Sequence, residues 1–186
     1  MDKDLIEKVQ LSDLPYKYRK WKSLYEYRQT ILFLPLLMRD KVAEQLMACD
    51  YMLSLENWLK PSSVIEKRHK RIFVQQVASV YEGIIDFFLD EKIKKLHEES
   101  ILAKEISNKS FIEYRRFNKS IDLMNSIGAI SYEGKEYLIK ICEARNYIHL
   151  SKNERGEIIK WLEENSSDSI RLKLDIFIEH IKNKLK

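Results

Sequence analysis

Apolar residues return at three- and four-residue steps along most of this chain, the period of helices that bury one face. The clearest run is Phe73, Val77, Val80, Tyr81, Ile84 and Phe88, which predicts a long central helix from about Ser63 to Glu98. Gly83 stands in its middle at a cost of about 1 kcal/mol against Ala, and predicts the close approach of another helix. Upstream, Val42, Leu46, Cys49 and Leu53, extended by Met52, Leu55 and Leu59, predict a helix over Arg39 to Lys60. Pro61-Ser62-Ser63 closes it and offers caps for the next. Pro35 interrupts the preceding apolar run and predicts a kink or a helix boundary. Downstream, Ser110 can cap a helix carrying Phe111, Tyr114, Phe117, Ile121 and Met124 that stops at Gly128. Ser131 then caps a helix expected to reach about Leu150, with Tyr137, Leu138, Ile141, Cys142, Ala144 and Ile148 in one arc. Ser151 to Gly156 reads as a loop before a short helix through Trp161 and Leu162. The last helix is capped within Ser166 to Asp168 and carries Ile170, Leu174, Phe177, Ile178, Ile181 and Leu185. A short helix is expected over 2–10, with a restart at Ser12 to Pro15, and a short helix or connector over 100–108.

Composition supports the same architecture. The chain of 186 residues has only four glycines and three prolines, all three prolines in its first third, so turn chemistry for a sheet is scarce. The expectation is an all-α, single-domain helical bundle with extra N-terminal helices. Residues 1–62 form a helical segment packed on the core, and 63–186 the bundle proper. A net charge of +4 permits nucleic-acid binding without demanding it. Cys49 and Cys142 stand outside any CxxC or Cys/His cluster and read as reduced, buried thiols. The charged N-terminus lacks a signal peptide's apolar stretch, and the run Ile31 to Met38 is far short of the ~20 residues that span a bilayer. A cytoplasmic protein with no membrane contact is expected. No repeat, Gly-rich phosphate loop, HExxH or nucleophile elbow is present, and neither a metal nor a cofactor is expected.

Candidate chemistry gathers in three places. Arg145 and His149 fall inside the apolar arc of the Ser131 helix and, four apart, share one face if the helix continues. A guanidinium on a core-facing side requires either a carboxylate on a neighbouring helix or a cleft or dimer seam that binds phosphate. The first reading leaves His149 bonded to a backbone carbonyl; the second makes it a proton donor and acceptor. Tyr16 to Arg28 interleaves cations and rings, with Lys17, Arg19, Lys20, Trp21 and Lys22 able to line an RNA surface. The alternative is an amphipathic helix whose Trp21, Leu24, Tyr25 and Arg28 pack on the core. Glu66 to Arg71 opens the central helix with Lys67, Arg68, Lys70 and Arg71, either a solvated face or an RNA-backbone contact. Glu82 and Asp86 lie four apart, a pair too common on helices to imply a metal.

The motif Arg145-Asn146-Tyr147-Ile148-His149, preceded by Gly128-Ala129-Ile130-Ser131 and an amphipathic helix, resembles the signature of the HEPN superfamily. These are small all-helical proteins, many of them toxin or defence ribonucleases. The family's usual motif spaces Arg and His further apart; here Asn146, Tyr147 and Ile148 alone stand between them. The resemblance covers roughly Ser63 to the C-terminus. It implies a HEPN-like bundle and a metal-independent endoribonuclease, a toxin or phage-defence effector. Arg145 and His149 would be catalytic, with Asn146, Glu143 and Tyr147 in support. It further implies an RNA substrate, a homodimer with the motif near its seam, and an antitoxin or regulatory protein as partner. The alternative is a catalytically inactive HEPN-like helical protein serving in binding or regulation.

Overall fold

Local chemistry sets most of the helix ends. The computed structural model describes residues 22–59, 63–99, 117–147 and 152–185, which form seven helices with no strand among them. The protein is all-helical. The first helix, α1 (Leu24–Thr30), opens with a capping box: Ser23 Oγ accepts from Glu26 N–H, and the Glu26 carboxylate accepts from Ser23 N–H at 2.6 Å. That cap starts a helix at Leu24, inside the Tyr16 to Arg28 stretch, of which residues 16–21 lie outside the described residues. Tyr27 is the ring that turns inward, whereas Tyr25 is exposed. Pro35 marks a boundary rather than a kink. Its carbonyl accepts from Arg39 N–H at 2.8 Å, so α2 (Leu36–Leu59) begins at Leu36 instead of Arg39. The Arg39 guanidinium then donates to the carbonyls of Leu32 and Leu34, closing the corner over the buried Ile31 and Leu34.

The longest helix, α3 (Ser63–Glu99), follows the expected limits. After α4 (Phe117–Ser126) the chain stops as a Schellman motif. Gly128 takes φ 66°, its N–H bonds Asn125 O, and Ala129 N–H bonds Met124 O. A side chain at that φ would be strained, which is why glycine stands there. Ser131 then caps α5 (Tyr132–Arg145), its hydroxyl accepting from Gly134 N–H at 3.1 Å. This helix ends at Arg145, short of Leu150. The expected loop over 151–156 is largely helix, because α6 spans Lys152–Glu164. Gly156 lies inside it in open space, and burial of Ile158 and Leu162 offsets its cost. Ser166 caps α7 (Ser167–Leu185), accepting from Ser169 N–H at 3.1 Å. The helices expected over 2–10 and 100–108, and the positions Ser110, Phe111 and Tyr114, lie outside the described residues.

Packing centres on α3, which meets α2, α4, α5 and α7. Phe73, Val74, Val77, Ala78, Val80, Tyr81, Ile84, Ile85, Phe88 and Leu89 are all buried, so α3 loses water on more than one side. Its stretch Ile65–Lys92 is long and apolar enough to cross a membrane, yet more than half of it is covered by neighbouring helices. Gly83 faces α2: a methyl there would lie 3.5 Å from Met38 Cε and 3.8 Å from Val42 Cγ2, ordinary contact distances. Gly83→Ala is therefore expected to raise stability by about 0.5–1 kcal/mol in urea denaturation. A loss of stability would mean that the α2–α3 interface has no room for a methyl.

Among the described residues one charged side chain is buried in the core. Arg171 is 1% exposed, and its Nε lies 2.7 Å from Asp50 Oδ1 on α2. Its Nη1 reaches Asp175 one turn along α7, and Tyr27 donates its hydroxyl to Asp50 Oδ2. The network joins α1, α2 and α7. Removing one partner of a buried pair strands the other, so Asp50→Ala is expected to cost about 3 kcal/mol. Tyr27→Phe should cost about 1.5 kcal/mol alone and much less in the Asp50→Ala background. Full additivity in that double-mutant cycle would show that the two groups are not coupled.

Candidate functional site

The site grows from the end of α5. Leu138, Ile141, Cys142 and Ala144 are buried and seat this helix against α3. Arg145 is its last residue, and Asn146 caps it: the Asn146 N–H bonds Cys142 O at 3.1 Å, and its side-chain amide reaches Cys142 Sγ at 3.7 Å. His149 itself lies outside the described residues, with Ile148 and Leu150.

Arg145 is paired. Its Nη1 lies 2.5 Å from Glu82 Oε2 on α3, so a carboxylate on a neighbouring helix holds the guanidinium, the first of the two alternatives its position allowed. Glu82 belongs to α3's inner surface, one turn after Ala78 and three and seven residues before Ile85 and Leu89, all buried. A carboxylate in that register is the signal that Glu82 needs a cationic partner, without saying which one. The pair remains within reach of solvent, since the Arg145 side chain is 34% exposed. An arginine carries five N–H donors, so one carboxylate contact leaves a guanidinium oriented rather than saturated. Beneath it, burial pushes the Cys142 thiol up to about 11; Arg145 opposes the shift while Glu82 and Glu143 add to it. Cys142 is a thiol at neutral pH and no nucleophile.

Tyr147, one residue past the cap, lies against two cations. The Arg71 guanidinium stacks over its ring, 4.1 Å from the centroid, and Nη2 approaches the hydroxyl at 3.4 Å. Arg155 of α6 stands 5.8 Å from the same centroid. Arg155 had no signal in the sequence, because its segment read as a loop. Glu143 pairs with Lys140 at 2.8 Å. Of the basic residues at the start of α3, Lys67, Lys70 and Arg71 line a cleft against α6, and Arg68 is exposed outside it. Lys22 sits over the Tyr27 ring at 5.8 Å, by α1. Lys17, Arg19, Lys20 and Trp21 lie outside the described residues. Among the described residues no group of three His, Cys, Asp or Glu side chains is placed to hold a metal ion.

Comparison with protein-family models, curated proteins and solved structures finds no match to this chain.

Asp86 completes the polar edge of α3, one turn beyond Glu82, and accepts from Ser120 Oγ at 3.2 Å. Burial pushes its carboxyl up to about 6; the Ser120 bond opposes the shift, and Glu82 and Asp90 add to it. A carboxyl raised in the fold binds its proton more tightly there than in the unfolded chain. Its ionisation therefore costs stability as pH rises from about 4 through about 6. Asp86→Asn keeps an acceptor for Ser120 and removes the charge. It is expected to unfold at a higher urea concentration than wild type at neutral pH, the gap closing as pH falls to about 4. A gap independent of pH would exclude the carboxylate charge as its cause.

Proposed function

We propose that this protein is a metal-independent endoribonuclease of the HEPN type, a cytoplasmic toxin or phage-defence effector that acts as a homodimer. The observation that carries the reading is Arg145: a guanidinium at a helix end, oriented by Glu82, partly open to solvent, and followed directly by Asn146. In this reaction the ribose 2′-oxygen attacks the adjacent phosphorus and the bond to the 5′-oxygen breaks. The products are a 2′,3′-cyclic phosphate and a 5′-hydroxyl. His149 removes the 2′-OH proton, and the partner copy's equivalent histidine protonates the leaving oxygen, so two-fold symmetry supplies acid and base from one motif. Arg145 balances the charge that grows on the phosphoryl oxygens. An antitoxin or regulatory protein would restrain such an activity.

The Glu82 contact favours a second reading, a catalytically inactive HEPN-like helical protein used in binding or regulation. A carboxylate at that distance offsets the charge that Arg145 would offer a phosphate. Incubation of the purified protein with cellular RNA in EDTA separates the two. The nuclease reading expects cyclic-phosphate ends from wild type, and a loss of about 100-fold or more in Arg145→Ala and His149→Ala. Intact RNA after incubation with folded, dimeric wild type would leave the binding reading in its place.

A further inference from the structure

The cations at the start of α3 belong to a cleft that α6 completes. Lys67, Lys70 and Arg71 are spaced three and four apart, so they share one face of α3. Opposite them, Ile159 and Leu162 of α6 supply an apolar floor. The cleft holds about 190 Å³. It is smaller than the roughly 300–1,000 Å³ pockets that enclose whole small molecules. A cleft of this size suits a phosphate and its sugar, a short piece of a longer strand rather than a free cofactor.

Its lining carries three cations and two carboxylates, a small excess of positive charge. Glu66 and Glu163 also line it, and Glu163 pairs with Lys67 at 3.2 Å, so Lys67 is already matched. Lys70 is half-buried beside them. Burial pushes its ammonium below the usual lysine range, and Glu56, Glu66 and Glu163 only partly restore it. An incoming phosphate would relieve that cost. Arg71 also lines the cleft, its guanidinium 4.1 Å from the centre of the Tyr147 ring. One of its five N–H donors approaches the Tyr147 hydroxyl at 3.4 Å, and a guanidinium held by a single such contact keeps further donors for a phosphate. Arg155 approaches the same ring from α6, so two helices and the segment after α5 converge on one aromatic residue.

We propose that the α3–α6 cleft is the groove that holds a single-stranded RNA beside the motif, with Arg71 and Arg155 gripping its backbone around Tyr147. The proposal rests on the ribonucleic-acid reading of the site and names how the strand is held. Guanidinium planes and a tyrosine ring at one point fit a strand of phosphates and bases better than a bare acidic chain. The participating cations are thereby Arg71 in the cleft and Arg155 beside it, and α6, which lacked any assigned role, becomes one of the cleft's walls.

The test reads binding without cleavage. A short fluorescent single-stranded RNA with 2′-O-methyl riboses lacks the attacking hydroxyl, and its anisotropy reports affinity alone. Arg71→Gln and Arg155→Gln should each weaken binding about tenfold, equivalent to about 1.4 kcal/mol. Each should also lower the slope of log affinity against log salt by about 0.7. Lys182→Gln, near the opposite end of the bundle, should bind as wild type, and circular dichroism checks that every variant is folded. Equal affinity in folded Arg71→Gln and Arg155→Gln overturns the cleft, as does equal competition by polyglutamate. Tight, cleft-dependent binding with no cleavage of ordinary RNA sinks the nuclease and leaves the cleft standing. Cleavage by all variants at the wild-type rate and affinity does the reverse.

Discussion

A guanidinium sealed from water dictates its surroundings, and Arg171 is such a group. With 1% exposure it needs carboxylates at contact distance, and Asp50 and Asp175 supply them. Asp175 is on the same helix, so Asp50 is the partner that constrains the fold. Sliding α2 along α7 by one turn would strand both charges at a cost of several kcal/mol, whereas sliding aliphatic faces would cost less. Tyr27 ties α1 to the same carboxylate. The apolar medium around the network is evident in its neighbours: burial pushes the Cys49 thiol up to about 12 and holds the Tyr81 hydroxyl well above its ordinary range.

The second interhelical arginine pair differs in degree, and the difference separates scaffold from site. Arg145 and Glu82 also join two helices, but about a third of the Arg145 side chain meets solvent. A pair in that position contributes less to stability and remains open to a ligand. Its location follows from α3. Glu82 holds the end of α5, and eleven residues earlier, about 16 Å along the axis, Arg71 holds Tyr147. The central helix thus fixes the motif at two points, and the cleft with α6 opens beside the second of them.

Much of this was legible in the chain itself. Periodicity located α3 and α7 closely, because both carry long apolar runs that only a 3.6-residue repeat gathers onto one face. Gly128 and Ser131 marked a stop and a start, since a positive φ and a hydroxyl cap are chemical requirements of single residues. Gly83 does face α2, but a methyl would fit there, so no requirement of the close approach put a glycine at that position. What the pattern misplaced was the end of α5. Ile148 prolongs its apolar arc, so periodicity saw no reason to stop at Arg145. The chain nevertheless leaves the helix there, and Tyr147 then stacks on a residue 76 positions earlier. For α6, Ser151 and Gly156 resembled loop chemistry, and the helix forms because burial of Ile158 and Leu162 outweighs one glycine.

The sequence by itself determined the helical class, most caps and which faces turn inward, because these depend on each residue's own conformational preferences and on spacing along one helix. Only the tertiary structure decided the partners. Arg171 and Asp50 each sit on an apolar stripe, as do Arg145 and Glu82, so each could be recognised as a charge in need of a match. Which carboxylate meets which arginine depends on how helices far apart in sequence cross, and that is set by the packing of all their apolar faces at once. The Arg71–Tyr147–Arg155 convergence has the same origin: three side chains from three segments, brought to one point by the fold and by nothing local to any of them.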